Sequence, residues 1–228
     1  MSILKRKAIY LKCAIFLIPW HYKAPESTAH ILLMSDSIPF YDLNAKSFFL
    51  STVDVDTLSL YQHFLPNIKE HGHILDAGCG SGRDAKAFLE LGYQLTAFDG
   101  SKAMAIMASK LTGLAVKHSL FQDFHSEQQF DGIWACASLL HVPYTELSDT
   151  FTHLASFLKM DGTFYCSFKL GENHQITRNG RVFTDLNYSG LIDILSNTPL
   201  KINQHWQTAD LRPGRTGEQW LNALLTRI

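Results

Sequence analysis

Four residues stand where short apolar runs end, and their types suit the handling of a polar small molecule. Asp76 follows Ile74-Leu75 and opens the turn Ala77-Gly78-Cys79-Gly80-Ser81-Gly82-Arg83-Asp84; Asp99, Asp123 and His141 each come after a later apolar run. Alternating glycines let a backbone turn tightly and bring N–H groups against a ligand with no Cβ in the way. The start of the helix that follows offers unpaired N–H groups and partial positive charge, a seat for an anionic group. An acid at the end of the next strand, here Asp99, accepts hydrogen bonds from ribose hydroxyls in nucleotide-binding βαβ units. His141 is the residue for proton transfer, because an ordinary imidazole titrates near working pH.

The elements that must position these groups are read from periodicity and punctuation. Strands are expected over 74–77, 93–99, 115–121, 130–137 and 163–169, with helices over 83–91, 102–110, 145–159 and 188–197 between them. Gly92 is expected to cap the first of these helices and Ser101 to start the second. Upstream, apolar positions 41, 45, 48 and 49 keep helical spacing, and a second helix is expected after Asp54 or Asp56 with Leu58, Tyr61, Phe64 and Leu65 on one face. Tyr61 and Phe64 are expected to be core. Segment 171–184 is polar and glycine-bearing, and loops of that kind carry specificity. Lys169 and Arg181 suit an anionic acceptor through charge-assisted hydrogen bonds, against the plain alternative of solvated charge. Two further strands, 202–208 and 219–225, flank a basic turn at 210–215 and are joined too closely for a crossover helix, so they must be antiparallel. The expected fold is α/β: a doubly wound, Rossmann-like, seven-stranded and mostly parallel sheet ending in a C-terminal antiparallel hairpin.

With 228 residues, 46% of them hydrophobic and 18% charged, the chain suits one globular α/β domain. A formal net charge of −1 leaves no basic excess for nucleic acid. Cys13, Cys79, Cys136 and Cys166 are scattered with no C-x-x-C pair, which argues against a zinc site or a disulfide framework and fits a reducing, cytoplasmic setting. Residues 1–33 differ from the rest. Lys5-Arg6-Lys7 precede an apolar run over 13–20 that is signal-peptide-like and too short to span a bilayer. A translation start at Met34 and a peripheral membrane helix are the other two readings. The domain is expected over 34–228, with 1–33 a dispensable extension and no stable membrane association.

The glycine turn decides between cofactor classes. The dinucleotide pattern G-x-G-x-x-G needs a glycine where Arg83 stands. The run Asp76-Ala77-Gly78-Cys79-Gly80-Ser81-Gly82 instead matches D/E-x-G-x-G-x-G and resembles the first motif of the class I S-adenosylmethionine-dependent methyltransferases. Phe130-Asp131-Gly132-Ile133 and Ser138-Leu139-Leu140-His141-Val142-Pro143 are similar to later parts of that family, and other pieces resemble a bacterial small-molecule subgroup that includes tellurite methyltransferase-like proteins. The resemblance implies S-adenosylmethionine as cofactor, held by Tyr41, Asp76, Gly78, Gly80, Arg83, Asp99, Gly100, Ser101, Gln122, Asp123, Phe124 and Ala137. In it Arg83 reaches the cofactor's carboxylate, Asp123 takes the adenine amino group, and the leading helices wall the substrate. It places His141 where cofactor and acceptor meet, as a base or as a loop buttress, and implies a small-molecule acceptor. A nicotinamide-dependent oxidoreductase and a protein that binds the cofactor without transferring a methyl group remain the alternatives.

Overall fold

The computed structural model describes residues 37–215 and 217–228. The expectations for 1–33 lie outside the described residues. Helices α1 (Ile38–Thr52) and α2 (Leu58–Phe64) lead into strand β1 (His73–Ala77), and β1, α3 (Arg83–Glu90), β2 (Gln94–Asp99), α4 (Lys102–Thr112) and β3 (Lys117–His118) follow in alternation. Then come β4 (Phe130–Ala135), a 3-10 turn at Leu139–His141, α5 (Tyr144–Ala155) and β5 (Leu158–Lys169). A small hairpin, β6 (Ile176–Arg178) and β7 (Arg181–Phe183), precedes α6 (Tyr188–Leu195), β8 (Leu200–Ala209) and β9 (Gln219–Arg227).

Seven strands form one sheet in the order β3-β2-β1-β4-β5-β9-β8. The pairs from β3 to β5 are parallel, while β9 runs antiparallel to both β5 and β8. This is the doubly wound sheet with a C-terminal antiparallel hairpin that the pattern predicts. Chain order reverses at β1, with β2 on one side and β4 on the other, so the crevice above their C-terminal ends is the place such sheets bind ligands.

Alternation along the central strands sorts two cores. Leu75, Ile133, Phe164, Cys166 and Ala223 pack with Phe151 and Leu154 of α5 and Leu191 of α6. Ile74, Trp134, Tyr165 and Leu224 pack with Tyr61 and Phe64 of α2 and Phe88 of α3. Trp134 stacks on Tyr165 with centroids 3.9 Å apart, giving this face an aromatic centre. Tyr61 and Phe64 are core, as their spacing predicts.

Three elements differ from expectation. The third strand shrinks to two residues, because the chain turns at Leu120–Asp123, where the Asp123 amide donates to the Leu120 carbonyl at 3.3 Å. The fifth strand starts at Leu158 rather than at residue 163, and the preceding helix ends at Ala155 rather than 159. Segment 171–184 contains the β6–β7 hairpin. Its signal was Asn179-Gly180, both at positive φ (51° and 74°), the two-residue turn whose twist suits a hairpin.

The aromatic face is closed by one buried carboxylate. Asp84 accepts from Arg83 Nε at 2.7 Å and Nη2 at 2.8 Å, from Tyr61 Oη at 2.6 Å and from Trp134 Nε1 at 2.9 Å, with Thr57 Oγ1 at 3.2 Å. Burial alone raises its pKa, but Arg83 and the neutral donors outweigh that and hold it below the usual carboxylate range. Asp84→Ala leaves Arg83, Tyr61 and Trp134 without their acceptor and is expected to cost about 3–5 kcal/mol of stability, read from urea unfolding at unchanged m-value. Because the folded-state pKa is lowered, the wild-type contribution is full at neutral pH and fades as pH falls below about 4. A variant losing less than about 1 kcal/mol would show that the cluster re-pairs without Asp84.

Candidate active site

The crevice above β1, β2 and β4 is a cavity of about 290 Å³, roofed by α1 and bounded on the far side by β7 and the turn before β9. Its floor is the glycine turn. Gly78 sits at φ +77°, and a Cβ there would lie 2.6 Å from Ser138 Cβ. Ser138 Oγ donates to the Ala77 carbonyl at 2.7 Å, so the turn after β1 is locked to the loop after β4. At Gly80, also at positive φ, the side a Cβ would occupy is open except for Phe48 at 3.8 Å. Backbone, not side chain, therefore faces the cavity there.

Two acids border this floor. Asp99 accepts the Gly80 amide on one oxygen and the Ser101 amide on the other, each at 2.8 Å. Each oxygen keeps acceptor capacity, since a carboxylate offers about four lone-pair sites. Burial outweighs those two amides and raises its pKa to about 6. Asp76 is buried, and its Oδ2 has no hydrogen-bond partner among the described residues. Burial, with the negative charges of Asp84 and Asp99, pushes its pKa well up against the opposing pull of Arg83. A partnerless carboxylate oxygen in a cavity wall is a seat for a cationic or donor group. Cys136, also lining the cavity, is pushed by burial up to about 12 and is a neutral thiol.

The acceptor end is built across the whole chain. Ser37, just before α1, accepts the Val182 amide at 3.0 Å. Asp42 accepts from Ser101 Oγ at 2.6 Å and the Ala103 amide at 3.1 Å, placing negative charge at the start of α4. Ser101 is the N-cap expected of it, taking the Met104 amide at 3.2 Å. His141 Nδ1 lies 2.8 Å from the Val182 carbonyl, which only accepts, so the proton sits on Nδ1. Nε2 is then the acceptor, and Tyr41 Oη donates to it at 2.7 Å. Burial and the Arg181 charge push the His141 pKa down to about 4, against the Val182 hydrogen bond. The imidazole is neutral at working pH, and the oxygen presented beside it is that of Tyr41.

Tyr41, Asp76, Gly78, Gly80, Arg83, Asp99, Gly100, Ser101, Ala137 and His141 all line this cavity. Ala137 does so at φ +52°, with its amide donating to Ser167 Oγ at 2.8 Å. Gln122, Asp123 and Phe124 do not line it. Because β3 ends early, Ser119, Leu120 and Phe121 take that wall, while Gln122 and Asp123 are exposed beyond the turn. Phe124 is inside the core, stacked on Phe98 at 4.5 Å. Arg83 reaches the wall, but its guanidinium is forked onto Asp84. Asp84, Asp42 and Ser138 were missed, and each works through partners distant in sequence.

The comparisons agree with this geometry. Residues 74–162 match the family model described as a methyltransferase domain. That match covers the strand-turn-helix and the strands around the cavity, the fold is the one seen in solved S-adenosylmethionine-dependent methyltransferases, and the nicotinamide reading is not favoured. Among solved structures, a Burkholderia thailandensis 1,6-didemethyltoxoflavin-N1-methyltransferase with bound 1,6-didemethyltoxoflavin and S-adenosylhomocysteine is similar at 20% identity. It aligns with 92% of this chain and 93% of its own, with a TM-score of 0.67. A TehB-like S-adenosylmethionine-dependent methyltransferase from Corynebacterium glutamicum is 19% identical over 83% of this chain and 100% of its own, with a TM-score of 0.64. A glycopeptide N-methyltransferase complexed with S-adenosylhomocysteine is 15% identical over 77% and 91%, with a TM-score of 0.61. No curated protein matches the chain. Among the described residues, no helix is long and apolar enough to cross a membrane.

The His141 environment has a measurable consequence. Its folded pKa is about 4, below the unfolded value near 6.5, so the unfolded chain binds the proton first. His141 therefore lends full stability above about pH 6.5 and loses it as pH falls toward 4, at up to about 1.4 kcal/mol per pH unit. The difference in unfolding free energy between wild type and His141→Gln should shrink across that window. A pH-independent difference would mean the imidazole titrates alike in both states.

Proposed function

We propose that this chain transfers a methyl group from S-adenosylmethionine to a small-molecule acceptor, with the cofactor on the glycine turn and the acceptor between α1, His141 and β7. The observation that carries the reading is the pair of acids beside that turn. Asp76 keeps a buried oxygen without a partner, suited to the ammonium of the methionine part, and Asp99 has lone pairs left for the two ribose hydroxyls. Leu120 and Phe121 offer apolar surface beside them for the adenine ring. The cofactor supplies an electrophilic sulfonium methyl when bound.

The chain's own task is then to hold an acceptor in line and keep water out. Tyr41 and Phe48 of α1, in edge contact at 4.9 Å, cover the site from above. His141 fixes the direction of the Tyr41 hydroxyl, and Val182 fixes His141. With its lone pair occupied and its pKa near 4, His141 is a weak base, so it acts as a positioning residue and the nucleophile brings its own free lone pair. The Burkholderia thailandensis structure, which holds a small acceptor together with S-adenosylhomocysteine in the same fold, supports the small-molecule part.

Asp76→Asn tests the cofactor seat. It replaces an acid whose ionised form burial disfavours with a neutral group of the same shape, so the free protein should be at least as stable as wild type in urea. Its affinity for S-adenosylmethionine should fall by about 1.5–3 kcal/mol, the worth of a hydrogen bond to a charged group. Asp99→Ala should weaken binding by about 1–3 kcal/mol with the fold intact. Calorimetry showing wild-type affinity in both variants, or no binding by wild type, overturns the reading.

A further inference from the structure

Six arginine and lysine side chains line the cavity, and the structure treats one of them differently. Lys169 is paired with Glu218, Arg178 with Asp185, and Arg212 with Asp210. Arg215 also meets Glu218, at 3.3 Å, and Arg83 is forked onto Asp84. Arg181 has no carboxylate partner among the described residues. Its Nε is buried and has no hydrogen-bond partner among those residues. Its Nη1 reaches only the neutral Tyr41 oxygen, at 3.4 Å.

The side chain is nonetheless held in place. Phe40, Phe183 and Tyr41 surround the guanidinium at 4.7, 5.1 and 5.8 Å, contacts that fix a cation without neutralising it. The turn at Asn179-Gly180 and the strand β7 carry it there, while Val182 of the same strand locks His141. A half-buried guanidinium held among rings, with a buried and idle Nε–H, is poised for a planar, two-oxygen partner, because its donors form a fork that matches an oxyanion.

We propose that Arg181 is the specificity-determining residue of the acceptor site and that the acceptor carries an oxyanion, a carboxylate or a phosphate, which this guanidinium binds through Nε and an adjacent Nη. Lys169 is excluded from that role by its pairing with Glu218. This inference rests on the methyltransferase reading for the identity of the site. The rings of Tyr41 and Phe183 beside it, which also line the cavity, suit a flat acceptor body.

The test uses the full chain loaded with S-adenosylhomocysteine and titrated with benzoate, benzamide and phenyl phosphate. The Arg181 Nε–H resonance, assigned through Arg181→Lys, is followed together with calorimetry. Benzoate or phenyl phosphate should move that resonance and bind about tenfold or more tightly than neutral benzamide. The stronger of the two anions identifies the carboxylate or the phosphate as the source. Arg181→Met should lose about 10–100-fold in anion affinity, while Arg181→Lys, which keeps charge but not the fork, should lose less. Both variants should hold S-adenosylhomocysteine as wild type does, which separates a lost anchor from a misfolded loop. The proposal falls if benzamide binds as well as the anions, or if Arg181→Met binds them as wild type does. Failure of wild type to bind S-adenosylhomocysteine would instead overturn the methyltransferase reading.

Discussion

Everything around the cavity depends on how the chain partners two buried acids that flank the glycine turn, Asp76 at the end of β1 and Asp84 at the start of α3. Two carboxylates in a low-dielectric site repel, so the fold must compensate one of them fully or keep one protonated. It compensates Asp84, with Arg83 and with the hydroxyl and indole of Tyr61 and Trp134. That choice fixes α2 and α3 against β4 and turns Arg83 sideways. It also leaves Asp76 with a burial cost and a free oxygen in the cavity wall. The stability of the aromatic core and the readiness of the ligand seat thus come from one division of partners. Asp84 is held low and structural; Asp76 is held high and open.

The second dependence is of the site on chain ends far apart in sequence. Helix α1 packs on α4 and buries Ala45, and polar bonds tie it to the site. Ser37 bonds to Val182, Tyr41 to His141, and Asp42 to Ser101 at the start of α4. The longest of these bonds joins residues 145 apart in sequence, so the place of the roof is set by tertiary partners rather than by its own helix. Each such bond adds modestly to stability, since a net intramolecular hydrogen bond is worth about 1 kcal/mol.

Legibility in the sequence follows the range of the interactions involved. The strand-turn-helix from Ile74 to Asp84, the cap at Ser101 and the closing hairpin were readable because each is dictated by neighbours a few residues away. The end of the third strand was misread for a physical reason. Residues 115–121 alternate like a strand, but only Lys117 and His118 pair with β2, and after the early turn Leu120 and Phe121, not Asp123, line the cavity. Asn179-Gly180 carried a local hairpin signal that the polarity of 171–184 obscured. The partnering of Tyr41 with His141, and of Asp84 with Tyr61 and Trp134, had no local signature. Sequence spacing places such groups near a site without saying which lone pair is already taken.

The cavity is chemically two-sided, and the two sides have different origins. The floor and one wall come from the turns after β1, β2 and β4, where backbone amides, glycines and acids do the holding. That architecture is shared with the solved structures it resembles at under 21% identity, so it fixes the fold rather than the acceptor. The other side comes from β7, the end of β5 and the turn before β9, where cations crowd. There Arg178 and Arg212 each meet an acid of their own, while Lys169 and Arg215 share Glu218. Arg181 meets no acid among the described residues and is caged by rings that orient it but do not cancel its charge. A wall that gives every other cation a carboxylate and leaves this one without concentrates its electrostatic selectivity in a single guanidinium.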